Sequence, residues 1–411
     1  MKPTQWPREL HARTRTRLAA KSTKPRLVHT LHEILPVLSH TCACTLQWTP
    51  DNRRLVTGTA TGEFTFWDGM TFQFETIYRV RAFSALNRCT ARPVLCLTLD
   101  TPLLTPSQTH GTEAMPLAVR AMEWSHNARW LISSDVEGNI KYWSHQWEPS
   151  NAFVAHERSA CRDLSFSPTD SKFASCGDDK TVRVWDFATF KEEQCMGKHT
   201  YDVQSVDWHP FSSLIASGSR DKTVKLWDPR QGKEMHEFTD HSQQVSAVQW
   251  NLNGQWLLTT SRDKSVRLYD LRTLKELQLF NCSELSHSSS IGWHPFHERV
   301  FASGHYDGRL CFWRVGEEEP TSVVQSAHDQ DIATLDWHPN GHALATAGMD
   351  TFTKVWIRQR PGDSTKQYTY EGNERHHRGG GMGGGRRGGG GGGRGGGRGG
   401  GGGGGGAGGA G

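Results

Sequence analysis

Residues 199–228 read HTYDVQSVDWHPFSSLIASGSRDKTVKLWD, and the rest of the chain repeats their landmarks at near-constant spacing. Counted from His199, a hydroxyl residue falls at +18 (Ser217), an Asp at +22 (Asp221) and a Trp at +28 (Trp227). The same ruler finds Thr259, Asp263 and Tyr269 from His241, and Thr346, Asp350 and Trp356 from His328. From His156 it is one residue looser and reaches Ser175, Asp179 and Trp185. A Ser/His/Asp set is also the vocabulary of nucleophilic catalysis. Repetition decides against that chemistry, because four copies of a triad in one chain would have no chemical use.

A period of about 40 to 45 residues closing on Trp-Asp resembles the WD40 repeat, which implies four short strands per blade of a β-propeller. Trp185-Asp186, Trp227-Asp228 and the softened Tyr269-Asp270 carry the dipeptide. In WD40 proteins the His, hydroxyl, Asp and Trp form a buried hydrogen-bonded chain, satisfying polar groups that would be costly inside a blade. The resemblance implies that role for all four sets here. Terminal aromatics at Trp67, Trp143, Trp185, Trp227, Tyr269, Trp313 and Trp356 give an all-β chain of seven blades. Blade 1, from about Leu46 to Trp67, lacks the Asp and has Thr61 six before its Trp; blade 2 has Glu137 there. Blade 6 keeps Asp307, but its opening, NCSELSHSSSIGW, has no Gly-His lead.

The expected organisation is a basic flexible segment over residues 1–26, a propeller over 27–363 and a disordered tail over 364–411, RGG-like from 378. LVHTLHEILPVL, residues 27–38, is expected to supply a strand that completes the last blade and removes an open edge. Successive terminal aromatics are 76, 42, 42, 42, 44 and 43 residues apart. The surplus in the first interval falls in an insertion over residues 80–118 without blade pattern. Residues 80–108 read as a retained intron or a genuine loop: Val80 requires a GT-initial codon, Gln108 admits CAG, and PLLTPS before it uses pyrimidine-rich codons. Excising them would shorten the interval to 47 residues.

The formal charge of +4 averages unlike segments. Residues 378–411 hold five Arg and no acid, and residues 1–29 hold eight Lys or Arg against one Glu, which leaves 30–377 at −8. Basic ends on an acidic body favour tails that meet nucleic acid over a propeller coated in positive charge. Arg378, Arg386, Arg387, Arg394 and Arg398 are the candidates, pairing with phosphate and stacking on bases as RGG tails do. The nine Cys show no CxxC, and Cys42-Ala-Cys44 is the one close pair, so neither zinc finger nor disulfide framework is indicated. No run reaches membrane-spanning length, and the expectation is a soluble protein with no membrane partner, cofactor or small-molecule substrate.

RRLVTGTATGEFTFWDG at 53–69 with FETI at 74–77, VRAMEWSHN at 119–127, FSPTDSKFASCGDDKTVRVWDF at 166–187, NLNGQWLLTTSRDKSVRLYD at 251–270 and WIRQRPGD at 356–363 go beyond the generic repeat. They resemble, in register, the WD40 subunit of the cleavage and polyadenylation specificity factor. That resemblance implies a non-catalytic subunit of the nuclear complex that recognises the AAUAAA signal in pre-mRNA, with a large propeller scaffold and a zinc-finger subunit as partners. It also implies that Phe74 and Ile77 pack against bases of the signal, a contact physically served by aromatic stacking. The plain alternative makes Phe74 a strand residue on the outer edge of blade 2. The family's Lys/Arg-rich segment ahead of the propeller is matched here only by HARTRTRLAAKSTKPR, basic without that motif. A second functional reading is a protein-only adaptor, a ubiquitin-ligase substrate receptor or chromatin-associated scaffold, since propellers serve unrelated partners. An enzyme is the weakest reading, because no paired carboxylates, metal spacing or phosphate loop stands apart from the repeat.

Overall fold

The computed structural model describes residues 31–38, 42–79, 117–147, 149–282 and 286–358, and every regular element among them is a strand. Seven antiparallel sheets of four strands each form the seven blades that the aromatic spacing predicts. The N-terminal segment 1–26, the insertion from residue 80 to 116 with its intron reading, and the tail from 364 with its five arginines lie outside the described residues.

Blade 4 shows why these residues make a blade. Its strands are Val203–Trp208, Ile215–Ser219, Val224–Asp228 and Lys233–Phe238, in spatial order. The second and third are buried along nearly their whole length on both faces, whereas the outer KEMHEF alternates exposed and covered positions. A sheet buried on two faces needs a neighbour on each side. Each hydrophobic cluster accordingly joins two adjacent blades: Ala174, Cys176 and Val184 of blade 3 with Val206, Ile215 and Trp227 of blade 4, and onward round to Ala343, Ala345 and Val355 of blade 7 with Leu46, Leu55 and Trp67 of blade 1. Gly218 permits the close approach, since a Cβ there would lie 2.5 Å from the Val248 side chain of blade 5.

The ring closes through Leu31–Leu38, which pairs antiparallel with Phe352–Arg358 and becomes the outer strand of the last sheet. Pro36 sits in this edge strand, the part of a sheet that tolerates a residue without an N–H. The inner strands are edges too, and neighbouring blades cap them. Asp336 of blade 7 accepts the Trp48 backbone N–H of blade 1 at 2.8 Å, Asp207 accepts that of Trp250 at 2.7 Å, and Gln249 accepts that of Trp293 at 3.0 Å. Asp163 takes the Val206 N–H at 3.0 Å, and Gln47 donates to the Glu123 carboxylate. Burial raises the carboxyls of this ring, against the N–H donors that oppose it: Asp207 and Asp336 to about 7, Asp163 to about 6.

The four polar sets form as the spacing predicts, with one exception. His199 bridges Asp221 and Ser217 at 2.8 Å each, and Trp227 donates to the same hydroxyl at 2.8 Å. His156, Asp179, Ser175 and Trp185 repeat this at 2.8–2.9 Å, as do His328, Asp350, Thr346 and Trp356 at 2.8–3.0 Å. In blade 5, His241 joins Asp263 at 3.1 Å and Thr259 at 2.8 Å, but Tyr269 does not complete the chain, because its hydroxyl extends past the place of an indole N–H and its oxygen makes no bond to Thr259. Blade 6 recovers its histidine from within the second strand: His305 reaches Ser303 at 3.0 Å, and Trp313 donates to Ser303 at 2.8 Å, while Asp307 stays at the surface beside Arg309. In blade 2 it is Asp135, not Glu137, that organises the turn, accepting from Asn139. Blade 1 has no such chain, and Thr57 Oγ1 and Trp67 Nε1 are buried without a partner.

Ser217→Ala removes the hydroxyl that joins His199 Nε2 to the Trp227 indole N–H, leaves both buried nitrogens unpaired, and is expected to cost about 1–3 kcal/mol in urea unfolding; an unchanged midpoint would show that the chain does not hold the blade. Asp207 has a folded value near 7 against about 3.9 unfolded, so its contribution is full below pH 4 and is lost as pH rises through 7. Asp207→Asn keeps a carbonyl for Trp250, and its stability relative to the parent is expected to rise by about 2–3 kcal/mol between pH 5 and pH 8. Parallel pH profiles for the two proteins would refute this.

Candidate nucleic-acid interface

Phe74 and Ile77 both lie on Phe74–Arg79, the outer strand of blade 1 and not of blade 2. Residues three apart on a regular strand point to opposite faces. Here the pairing shifts by one: Trp67 faces Phe74, Phe66 faces Thr76 and Thr65 faces Ile77, which leaves Glu75 as the extra residue of a bulge. Because Trp67 and Thr65 stand on one side of their strand, Phe74 and Ile77 share a face, the one Trp67 turns toward blade 7. The same shift at the terminal aromatic recurs in blades 2, 3, 4 and 5, so the repeat's own geometry brings the pair together.

Packing and exposure coexist at this site. The Phe74 ring meets Trp67 edge-on with centroids 5.6 Å apart, yet Phe74 is 52% and Ile77 46% exposed. Tyr78 turns to the other face, against Phe66 at 5.3 Å and stacked on Trp147 at 6.2 Å. Glu75 is held by Arg54 at 2.6 Å, which sets a guanidinium beside the apolar pair. The result is a rigidly backed apolar surface with a cation at its margin, suited to a flat, unstacked base and a phosphate. Sequence reading named Phe74 and Ile77 but not the bulge that unites them.

The four polar sets offer no comparable access. Their histidines are buried against neighbouring strands, and burial, which disfavours the ionised Asp179, is outweighed by the hydrogen bond and charge of His156, holding that carboxyl down at about 2. Asp221 and Asp263 are lowered in the same way by His199 and His241. A carboxylate fixed as an ion on a fully buried imidazole serves packing rather than proton transfer to a ligand. Among the described residues no group of three His, Cys, Asp or Glu is placed to hold a metal, and Cys42 and Cys44 are both free thiols.

Comparison with known proteins agrees with this geometry. The family model "WD domain, G-beta repeat" matches residues 106–144, 147–186, 190–228, 232–270 and 319–356. The chain is 34% identical over 346 residues to polyadenylation factor subunit 2 of Candida albicans, an alignment covering 78% of this chain and 57% of that protein. It is 33% identical over 360 residues to polyadenylation factor subunit 2 of Gibberella zeae (81% and 53%), and 32% over 377 residues to that of Neurospora crassa (85% and 51%). The chain thus spans about half the length of the curated relatives it matches. By its repeats and by these relatives, the chain belongs to the WD40-repeat family of polyadenylation factor subunits.

Proposed function

We propose that this protein is a non-catalytic scaffold subunit of the nuclear pre-mRNA 3′-end processing complex and that it assists recognition of the polyadenylation signal through Phe74 and Ile77. The observation that carries the reading is the bulge at Glu75, which sets two exposed apolar side chains on one face of a strand backed by Trp67. Relatives named polyadenylation factor subunit 2 support the process, and the buried state of every His/Asp/hydroxyl set supports a binding role over a catalytic one. Other subunits of the complex, a large propeller scaffold and a zinc-finger subunit, are its expected partners, and the arginines at 378, 386, 387, 394 and 398 add non-specific RNA contact.

Phe74→Ala combined with Ile77→Ala is expected to lower affinity for signal RNA in the assembled complex by on the order of tenfold, as loss of one stacked base requires, with little change in the thermal midpoint. A large fall in midpoint with unchanged RNA affinity would instead make the pair packing residues. Deleting 378–411 is expected to weaken binding of signal and scrambled RNA alike and to flatten the salt dependence. Unchanged affinity and slope would remove the tail from RNA binding. Purification from nuclear extract under RNase tests the process itself: recovery of cullin adaptors or histones without processing subunits would favour the protein-only adaptor.

A further inference from the structure

The turns between second and third strands offer one position that can be compared round the ring. The first residue after the second strand donates its backbone N–H to a residue just ahead of the inner strand: Asp178 to Ala160, Arg220 to Asp202, Arg262 to Gln244, Tyr306 to His287 and Met349 to Asp331, at 2.8–3.0 Å. Two residues on, every turn is left-handed, with φ between 65° and 81°. Blades 1, 2 and 6 place Gly62, Gly138 and Gly308 there, and a Cβ would lie 2.5, 1.9 and 1.9 Å from backbone oxygens. Blades 3, 4 and 5 place Lys180, Lys222 and Lys264. A side-chain-bearing residue in that conformation costs on the order of 1 kcal/mol; blade 7 accepts the cost with Thr351, and three consecutive blades accept it with the same cation.

Folding gives no return for it. All three lysines are exposed, and the contact described for them is Lys180 Nζ over the Tyr201 ring at 5.7 Å. The acids between them are committed inward, Asp179, Asp221 and Asp263 to their histidines. Lysines therefore stand outward with Arg220 and Arg262, opposed by Asp202, 3.5 Å from Arg220, and by the exposed Asp240, while the other turn acids are paired locally, Asp178 with Arg162 at 2.6 Å and Asp307 with Arg309 at 3.3 Å. Aromatic surface is interleaved: Tyr201 is 58% exposed, and Tyr306, 56% exposed, stacks on His287 at 4.7 Å. Across the ring the equivalent places hold Met349, Thr351, Ala60 and Gly62, without charge.

We infer that the turn face of blades 3–6 is a second contact for single-stranded RNA, remote in the blade order from Phe74. Phosphates meet Lys180, Lys222, Lys264, Arg220 and Arg262, and unstacked bases meet Tyr201 and Tyr306. Charge alone would suit an acidic peptide equally well; exposed rings alternating with cations favour bases, which have a π-face that a carboxylate chain lacks. Duplex RNA keeps its bases stacked and would use only the cations. The inference rests on the RNA-binding reading above but on different residues.

The test is the full chain carrying Lys180→Gly, Lys222→Gly and Lys264→Gly together, glycine being what three other blades use at this place. Its thermal midpoint should be unchanged or raised. Fluorescence anisotropy with oligouridylate over a KCl series should show affinity lowered on the order of tenfold, and a log–log salt slope shallower by about 2, as three lost single-strand contacts require. Lysine-to-arginine replacement at the three positions should restore binding, and Tyr201→Ala with Tyr306→Ala should weaken it at unchanged slope. Unchanged affinity and slope would overturn the inference, as would a larger loss for oligoglutamate than for oligouridylate, which would give the face to an acidic protein. Phe74→Ala/Ile77→Ala measured alongside separates the two readings, because each variant can lose binding while the other keeps it.

Discussion

No blade of this protein can stand alone, and that constraint shapes the rest. Each four-stranded sheet is apolar on both faces, so each core cluster is shared between two blades, and each inner strand exposes N–H groups that a neighbour's side chain must accept. The closing contact is the most demanding, because the Asp336 carboxylate and the Trp48 N–H are 288 residues apart and the bond forms only when the ring is complete. Strand Leu31–Leu38 makes the same demand at the outer rim. Closing so long a loop costs entropy that grows only slowly with length, and the burial gained along an entire blade face offsets it.

Repetition supplies an internal control that a single-copy fold lacks. Where seven equivalent places hold the same kind of residue, folding is sufficient explanation; where a few depart together, it is not. The His/hydroxyl/Asp/Trp chain is of the first kind: it recurs where each blade can build it, and blade 6 rebuilds it with His305 from another direction. The three lysines in left-handed turns are of the second kind, since the same place in the other four blades holds Gly or Thr and no cation. The exposed face of Phe74 and Ile77 is of the second kind as well. Blades 1 to 5 share the bulge, but on the outer strand of blade 4 the residues paired with Trp227 and Lys225 are Glu234 and Glu237, whereas blade 1 offers a ring and an isoleucine at the same rungs.

The blade count, the polar chains and the strand that closes the ring were legible because they depend on spacing and alternation, which a sequence displays directly. What was not legible depends on register. Ser303 and His305, two apart, must share a strand face, so the substitute histidine of blade 6 is written in the sequence, but on the second strand and not at the lead-in position that the repeat's spacing marks. Tyr269 satisfied the aromatic position by type and failed it by length. The acceptors of the inner ring, Asp207, Gln249 and Asp336, each precede a Trp in an otherwise apolar strand, a pattern whose purpose appears only when the next blade is in place. Phe74 and Ile77 could be named from resemblance, while their common face needed the bulge.

Blade 1 joins these threads. It has neither the His nor the Asp of the regular repeat, and it buries Thr57 Oγ1 and Trp67 Nε1 without partners, at a cost of about 1–3 kcal/mol for each group. It is also the blade at the ring closure, whose inner strand is capped by Asp336 and whose face is covered by Ala343, Ala345 and Val355 of the last blade. Its lost internal hydrogen bonds are thus compensated by neighbours rather than from within. Trp67, with no hydroxyl to bond its indole N–H, still backs the Phe74 ring at 5.6 Å. The blade least constrained by the repeat's polar chain carries the most exposed apolar outer strand, as expected if departure from the repeat is tolerated where the closing contacts hold the blade and is used where a ligand must be met.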